Sequence, residues 1–200
     1  MAMAARATGR LQQSGCMFFL CDMQEKFKPS IRYFDEITTV SQRLTSAAAA
    51  LEIPLIVTEQ YPKGLGRTVV DIDISKAAVR AEKTKFSMVV PEVTEFLQTR
   101  AERKTVVLFG IEAHVCVTQT ALDLTDMGYT VHVVADAASS RSNTDRMMAF
   151  DRLRQSGVFV TTSEAVLFEL LGDSKAPHFK EVQGLIKVSA PDTGLPGSKM

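Results

Sequence analysis

Two kinds of hydrophobic pattern alternate along this chain. Short, nearly continuous apolar runs, each bounded by polar or turn-forming residues, are typical of strands that are buried on both faces. Such runs lie at 16–22, 54–60, 104–110, 129–136 and 157–162, with a weaker candidate at 80–87. The pattern therefore predicts six strands.

The segments between these runs have helical periodicity. The clearest is a series in which apolar residues recur every three or four positions: Ile37, Val40, Leu44, Ala48 and Leu51. Further helices are predicted near 90–100, at 116–127, from an Asn143 cap to Arg154, over 165–172 after a Thr161–Glu164 capping box, and near 177–187. Alternating strands and helices with right-handed crossovers predict an α/β fold, a doubly wound three-layer α/β/α sandwich around a parallel sheet.

The length and composition are those of one globular domain. The chain has 200 residues, of which 46% are hydrophobic, so it can bury a sizeable core. Pro, Gly and Ser are concentrated at the end of the sequence, in the stretch "SAPDTGLPGSKM". We expect a flexible arm at 1–14, a single domain at 15–188 and a flexible tail at 189–200.

The charge balance bears on whether the protein binds nucleic acid or anionic membranes. Lysine plus arginine total 23 and aspartate plus glutamate total 23, which gives a formal net charge of zero. Surfaces that bind nucleic acid or anionic membranes need a basic excess, so neither partner is expected. No apolar run approaches the roughly 20 residues that cross a bilayer. A small-molecule ligand is the expected partner.

Cysteine content bears on the compartment. Cys16, Cys21 and Cys116 form an odd and sparse set, which favours a reducing compartment, and we expect the cytoplasm. The N-terminal arm carries Arg6 and Arg10 and has no acidic residue before Asp22. A mitochondrial presequence is therefore an open alternative.

Three chemically active residue types fall at predicted strand ends. Asp22 closes the first strand, Lys83 and Lys85 lie in the weak third strand, and Cys116 follows the fourth. In open α/β sheets, ligands bind beside the carboxyl ends of the strands. The two lysines share a strand face, so the pattern does not choose between them. Cys16 and Cys21 lie inside the first strand and are predicted to be core residues.

An acid, an amine and a thiol suit nucleophilic catalysis. A free cysteine is mostly protonated at neutral pH, but a helix N-terminus and a nearby ammonium both favour the thiolate. A carboxylate can take the thiol proton and return it to a leaving amine. Each residue also has a structural interpretation: Cys116 as core, Asp22 as a turn residue and Lys83 as a surface lysine. Their conjunction is what favours the functional interpretation.

Three segments resemble the signatures of a known family. "LCDMQEKF" (20–27), "KTKFS" (83–87) and "GIEAHVCV" (110–117) are similar to those of the isochorismatase-like, or cysteine hydrolase, superfamily, and the resemblance extends from about residue 16 to 188. It implies a six-stranded parallel sheet in the order 3-2-1-4-5-6. It also implies homo-oligomers, which are common among its members.

The resemblance also assigns site residues. It implies a catalytic triad of Asp22, Lys83 and Cys116, with Lys83 preferred because the family lysine lies four residues before a serine, here Ser87. It implies a cis peptide at Ile111–Glu112 that turns the amides of Glu112 and Cys116 toward an oxyanion. Further residues are candidates for the substrate pocket: Gln24 and Phe27 in the first signature, Tyr61 and Phe86 as an aromatic wall, and His114 as a substrate-polarising or packing residue.

The sequence also departs from the family's metal-dependent members. Nicotinamidases of this superfamily carry an Asp-x-His metal site after the second strand, where this chain has "TEQYPKGLG" without a histidine. We therefore expect no metal and no cofactor. Isochorismatases that cleave a vinyl ether often have glycine in place of the cysteine, so the presence of Cys116 disfavours that reaction.

The leading hypothesis is a metal-free cysteine hydrolase of a small amide or related C–N bond, acting through a Cys116 thioester. Three alternatives stay open: a catalytically silent binding or regulatory protein, a vinyl-ether hydrolase, and a thiol redox sensor. A ribonuclease activity has no support in the sequence, because the charge is balanced and no basic or aromatic platform is visible.

Overall fold

A six-stranded parallel sheet forms the centre of the protein. The computed structural model describes residues 8–195. The strand order is β3-β2-β1-β4-β5-β6 and every strand pair is parallel, which confirms the predicted fold. The strands are β1 (Cys16–Cys21), β2 (Leu55–Gln60), β3 (Val79–Lys83), β4 (Thr105–Ile111), β5 (Thr130–Ser139) and β6 (Phe159–Thr161).

Helices cover the sheet. They are α1 (Phe34–Ala50), α2 (Pro62–Leu65), α3 (Pro91–Gln98), α4 (Thr118–Asp126), α5 (Asn143–Gln155), α6 (Ser163–Leu171) and α7 (Phe179–Ile186). A π-helical turn, Ala113–Val117, joins β4 to α4. The short α2 was not predicted, because only Pro62 marks its start in the sequence. Within residues 8–195, no helix combines the length and hydropathy that a membrane span requires.

Strand β1 explains why the sheet has two cores. All six of its residues are buried, and it pairs with β2 on one side and β4 on the other. Alternate residues point to opposite faces, so Phe18 and Leu20 join the core that includes α1. Cys21 belongs to the core on the other face, which also contains Cys116.

The starts of two helices differ from the predicted caps. Ser142, not Asn143, caps α5, because its Oγ accepts a hydrogen bond from the Asp145 amide at 3.0 Å. No capping box forms at Thr161–Glu164. Instead, Asp136 of β5 accepts hydrogen bonds from the amide and the hydroxyl of Ser163, at 2.7 and 2.6 Å. A carboxylate that is distant in sequence has taken the place of a local cap.

The N-terminal arm packs on the domain over its described part. We predicted flexibility for 1–14, yet Leu11 is buried and its amide donates a 3.0 Å hydrogen bond to Glu169 of α6. Gly9 lies so close to the ring of Phe159 that a side chain would not fit there. Residues 1–7 lie outside the described residues, and so does Arg6 of the presequence hypothesis.

The C-terminal tail is also anchored over its described part, although we predicted flexibility for 189–200. Thr193 is buried, and its carbonyl accepts a hydrogen bond from the guanidinium of the fully buried Arg146 in α5. The buried cation supplies the anchor, which a sequence window rich in Pro and Gly does not reveal. Residues 196–200 lie outside the described part of the chain.

Candidate active site

Asp22 stands at the carboxyl end of the central strand. It leaves the strand path with a φ of 50°, in the left-handed region, and its side chain is buried. One carboxylate oxygen, Oδ1, accepts a hydrogen bond from Thr58 Oγ1 at 2.8 Å. The other, Oδ2, pairs with the ammonium of Lys83 at 2.6 Å. One carboxylate oxygen is therefore held by β2 and the other by β3, the two strands that lie on the same side of β1.

Lys83 is the lysine that faces Asp22. It is the last residue of β3, and its ammonium also donates to Gln60 Oε1 at 2.7 Å and to the Phe86 carbonyl at 2.9 Å. Lys85 lies beyond the strand end, where its half-exposed ammonium pairs with Asp123 at 3.0 Å. A continuous strand would place Lys83 and Lys85 on the same face. Because β3 ends at Lys83, Lys85 lies outside the cluster.

The surroundings of Lys83 favour its charged form. Burial opposes the charge and lowers the pKa of the ammonium, but Cys21, Asp22 and Cys116 and the hydrogen bond to Asp22 act in the other direction. The net effect is a pKa raised above the usual value of 10.5. A fixed positive charge therefore faces the two thiols and the carboxylate at neutral pH.

Cys116 lies in the π-helical turn between β4 and α4. We predicted a helix that starts at Cys116, but helical structure begins three residues earlier, at Ala113. The Ile111–Glu112 peptide is cis, as the resemblance implied. The Cys116 side chain is almost buried, with 6% exposure, so the thiol lies at the floor of the site. π-helical turns are rare and are frequent at functional sites.

Thr120 ties the cysteine turn to the lysine segment. Its hydroxyl donates to the Cys116 carbonyl at 2.6 Å and accepts from the Met88 amide at 2.9 Å. Sequence analysis missed this residue, because a helical threonine that bonds the carbonyl four residues back carries no signal of a site. Thr120 fixes the distance between two chain segments that each contribute to the site.

Cys21 is a fourth member of the cluster. We predicted a core residue, and the side chain is indeed fully buried, but its thiol donates to Asp22 Oδ2 at 3.6 Å and lies in the same packed cluster as Cys116. Burial, the hydrogen bond to Cys116 and the charges of Asp22 and Cys116 raise the pKa of Cys21 well above 9.0, against the effect of Lys83. The thiol therefore stays protonated at neutral pH. An apolar strand predicts the burial but not these contacts.

Gln24 is fully buried, and its side-chain amide holds the main chain beside the site, while its place in the substrate pocket stays a prediction. Its Oε1 accepts from the Gln60 amide at 2.6 Å, and its Nε2 donates to the carbonyls of Gln60 and Gly66 at 2.9 and 2.7 Å. These bonds engage the whole amide group with the main chain. Gln24 thereby positions Gln60, whose side chain in turn binds Lys83.

The three aromatic candidates lie in different surroundings. Phe27 is partly buried and packs against the core on the α1 side of the sheet. Tyr61 and Phe86 are both about half exposed, at 54% and 51%, which excludes the core alternative for Phe86. Their main chains bond Lys83 directly, because the Tyr61 amide donates to the Lys83 carbonyl at 2.8 Å and Lys83 donates to the Phe86 carbonyl. The aromatic wall stays a prediction.

The end of β5 holds the outer side of the cysteine turn. His114 Nδ1 lies 3.0 Å from Ser140 Oγ, and the carboxylate of Glu112 lies 3.3 Å from the guanidinium of Arg141. The His114 ring is therefore anchored at one nitrogen, which agrees with a packing role. Within residues 8–195, His, Cys, Asp and Glu side chains form no group of three that could hold a metal ion.

Known proteins are similar to this chain in sequence and in fold. The Isochorismatase domain model matches residues 16–165. Isochorismatase domain-containing protein 1 of Danio rerio is 54% identical over 187 residues, which cover 94% of this chain and 66% of that protein. Isochorismatase domain-containing protein 2 of Xenopus laevis is 54% identical over 193 residues, which cover 95% of this chain and 92% of that protein. The chain thus spans about two thirds of the length of the first relative.

Solved structures with this fold carry varied descriptions. The MAR1 ribonuclease of Caenorhabditis elegans is 52% identical, with a TM-score of 0.90 over 96% of this chain and 100% of that chain. The YcaC gene product of Escherichia coli is 23% identical, with a TM-score of 0.83 over 92% of each chain, and is described as an octameric hydrolase of unknown specificity. The second similarity shows the fold alone.

Proposed function

Because the chain belongs to the isochorismatase domain family, whose members include cysteine hydrolases, we propose that it is a metal-free hydrolase that cleaves the amide or a related C–N bond of a small molecule. The observation that carries this proposal is the buried Asp22–Lys83 pair, with an N–O distance of 2.6 Å, beside the Cys116 thiol. A buried ion pair is costly to maintain, so its place beside a thiol favours a chemical role.

In the first half-reaction the Cys116 sulfur attacks the substrate carbonyl carbon. The thiol proton passes to the Asp22 carboxylate, while the Lys83 ammonium stabilises the negative charge that remains in the site. The amides of Glu112 and Cys116 hold the oxyanion of the tetrahedral intermediate. When the C–N bond breaks, Asp22 returns the proton to the leaving amine, and a Cys116 thioester remains.

In the second half-reaction water replaces the amine. Asp22 takes a proton from a water molecule as the water oxygen attacks the thioester carbonyl. The C–S bond then breaks, and Asp22 passes the proton to the departing Cys116 sulfur, which releases the carboxylic acid and restores the thiol. We infer that the half-exposed rings of Tyr61 and Phe86 cover an apolar part of the substrate and that no cofactor takes part in either step. A small molecule without a large charge suits this site.

The test is to trap the thioester. We would incubate the wild-type protein and the Cys116→Ala variant with a panel of small amides, quench with acid, and measure intact mass. We expect a mass increase on wild-type protein alone, located at Cys116 by peptide mapping. Absence of any Cys116 adduct across the panel, with the protein folded, would contradict the proposal and favour a silent binding or regulatory protein.

The same panel includes an RNA oligonucleotide and a vinyl ether. The ribonuclease description of the C. elegans relative makes RNA a necessary comparison, although the balanced charge of this chain disfavours a nucleic-acid partner. Cleavage of RNA or of the vinyl ether by wild-type protein that persists in Cys116→Ala would exclude the thioester route for that substrate.

The proposal extends to assembly and compartment. Large apolar side chains are exposed away from the site residues, among them Val70, Met148 and Val188, and this supports a homo-oligomer of the kind described for the octameric E. coli structure. Sedimentation equilibrium would measure the size of the oligomer, and a monomer would contradict this expectation.

The three cysteines are free thiols, which supports a reducing compartment such as the cytoplasm over an oxidising one. Fractionation of cells that express the chain with and without residues 1–14 would show whether the arm directs the protein to mitochondria.

A further inference from the structure

The second cysteine of the site has no part in the proposed hydrolysis. Cys21 is fully buried at the carboxyl end of β1, directly before Asp22. Its thiol donates to the carboxylate, and its side chain packs in the same buried cluster as Cys116. Two protein thiols in contact inside a charged site can do chemistry that one cannot, because the second thiol can capture an oxidised form of the first.

We propose that Cys21 and Cys116 form a reversible oxidation site, in which a hydroperoxide oxidises Cys116 and Cys21 closes a disulfide with it. The inference shares with the proposed function only the premise of a nucleophilic Cys116. It requires no hydrolysis, and it assigns to Cys21 the resolving role.

In the first step, the Cys116 thiolate attacks one oxygen of the hydroperoxide. An S–O bond forms and the O–O bond breaks, so the sulfur loses two electrons, and the second oxygen leaves as water or an alcohol after it takes up a proton. The product is a sulfenic acid at Cys116. The Lys83 ammonium, which faces both thiols and is anchored by the 2.6 Å bond to Asp22, stabilises the negative charge on the attacking sulfur.

In the second step, the Cys21 sulfur attacks the sulfenic sulfur. The S–S bond forms and the S–O bond breaks, and the departing hydroxide combines with the Cys21 proton to give water. Asp22 Oδ2, 3.6 Å from the Cys21 sulfur, is placed to accept that proton during the attack. A low-molecular-weight thiol or dithiol restores both cysteines by thiol–disulfide exchange, which supplies two electrons.

Burial explains why the second step needs an internal thiol. Cys116 is only 6% exposed and Cys21 is not exposed at all, so a bulky external thiol reaches a sulfenic acid at the floor of the site slowly, whereas Cys21 already lies in the same buried cluster. A disulfide at this position blocks the nucleophile and protects it from irreversible oxidation to the sulfinic acid.

The chain supplies a matched control in the same strand. Cys16 lies at the opposite end of β1, is equally buried, and has a pKa raised to about 11, chiefly by burial. Its side chain belongs to the core on the other face of the sheet, away from Cys116. Cys16 shares the strand and the burial of Cys21, and only Cys21 lies at the site.

The experiment treats native wild-type protein with graded hydrogen peroxide, blocks the remaining thiols under denaturing conditions, and maps the peptides by mass spectrometry. We expect a peptide pair joined through Cys21 and Cys116, lost on treatment with dithiothreitol. The Cys16→Ala variant should give the same pair. In Cys21→Ala, Cys116 should be trapped by dimedone as a sulfenic acid and should accumulate sulfinic acid several-fold faster than in wild type.

Three outcomes would overturn the proposal: a sulfinic acid at Cys116 while Cys21 remains free, a disulfide that contains Cys16, or no oxidation of either site thiol. If Cys21→Ala does not fold, the peptide map of wild-type protein decides by itself. A Cys116 that forms acyl adducts but never joins Cys21 preserves the hydrolase proposal and removes this one. A Cys21–Cys116 disulfide without any acyl adduct at Cys116 supports this proposal and contradicts the hydrolase proposal.

Discussion

At the scale of single residues, the position of one ammonium offers a test of the proposed reactivity of Cys116. Lys83 lies in the buried cluster and Lys85 lies outside it, paired with Asp123. We expect Lys83→Met to slow the alkylation of native Cys116 at neutral pH by about tenfold, because the thiolate loses its nearest cation. Lys85→Met is the matched control and should leave the rate unchanged. The measurement is iodoacetamide labelling, followed at Cys116 by peptide mass. Equal rates in both variants would remove Lys83 from the activation of the thiol.

Gly110 sets how closely β4 approaches β1. It has a φ of 117°, and a Cβ added there would overlap the main chain of Cys21. We expect Gly110→Ala to lower the free energy of unfolding by at least about 4 kcal/mol, since both the conformation and the space are wrong for a side chain. Gly128 also has a positive φ, of 83°, but has open space around it, so Gly128→Ala should cost only about 1 kcal/mol. Urea unfolding of both variants measures the difference. Similar losses would show that close packing against Cys21 does not matter.

At the scale of elements, the sequence predicts the strand ends better than the contacts made there. Parallel strands place Asp22, Lys83 and Cys116 at one edge of the sheet, so the cluster follows from the strand pattern and from the family signatures. The role of Cys21 does not follow, because an apolar strand gives the same pattern whether or not its last thiol meets a neighbour. Thr120 was missed for a related reason, since one hydroxyl that joins two segments leaves no periodic trace.

The contact that Thr120 makes between α4 and the segment after β3 is testable. Thr120→Val keeps the shape of the side chain but leaves the buried Met88 amide without its acceptor, which should cost about 1–3 kcal/mol of unfolding free energy. Thr125→Val is the control in the same helix, because its hydroxyl bonds only the Ala121 carbonyl one turn earlier. Denaturant unfolding should separate the two variants, and alkylation of Cys116 should be altered only by the first. Equal behaviour would mean that this link does not fix the cysteine turn.

At the scale of the whole molecule, one buried histidine makes stability sensitive to acid. His132 of β5 is buried against Phe159, and burial lowers its pKa below 6.5, although Glu169 and the Gly9 backbone act in the other direction. The unfolded chain therefore binds a proton that the native protein resists, so stability is lost as the pH falls below about 6.5. His132→Gln should remove up to about 1.4 kcal/mol per pH unit of this slope. Unfolding curves between pH 7 and 5 test this, with the exposed His178→Gln as control. An unchanged slope in His132→Gln would contradict it.

The C-terminal tail tests whether a buried cation can hold a segment that the sequence presents as flexible. Arg146 is fully buried, its Nε has no hydrogen-bond partner, and its two terminal nitrogens donate to the carbonyls of Ala135 and Thr193. Burial lowers its pKa to about 10, which still leaves the group charged at neutral pH. Deletion of 192–200 removes one acceptor from this charge and should cost about 1.5–3 kcal/mol of unfolding free energy. Deletion of 196–200 keeps Thr193 and is the control.

In the Arg146→Met background the longer deletion should cost clearly less, since no buried charge then loses its partner. If the longer deletion lowers the free energy of unfolding equally in both backgrounds, the tail contributes through apolar packing alone. A smaller loss in the Arg146→Met background would identify Arg146 as the group that anchors the tail.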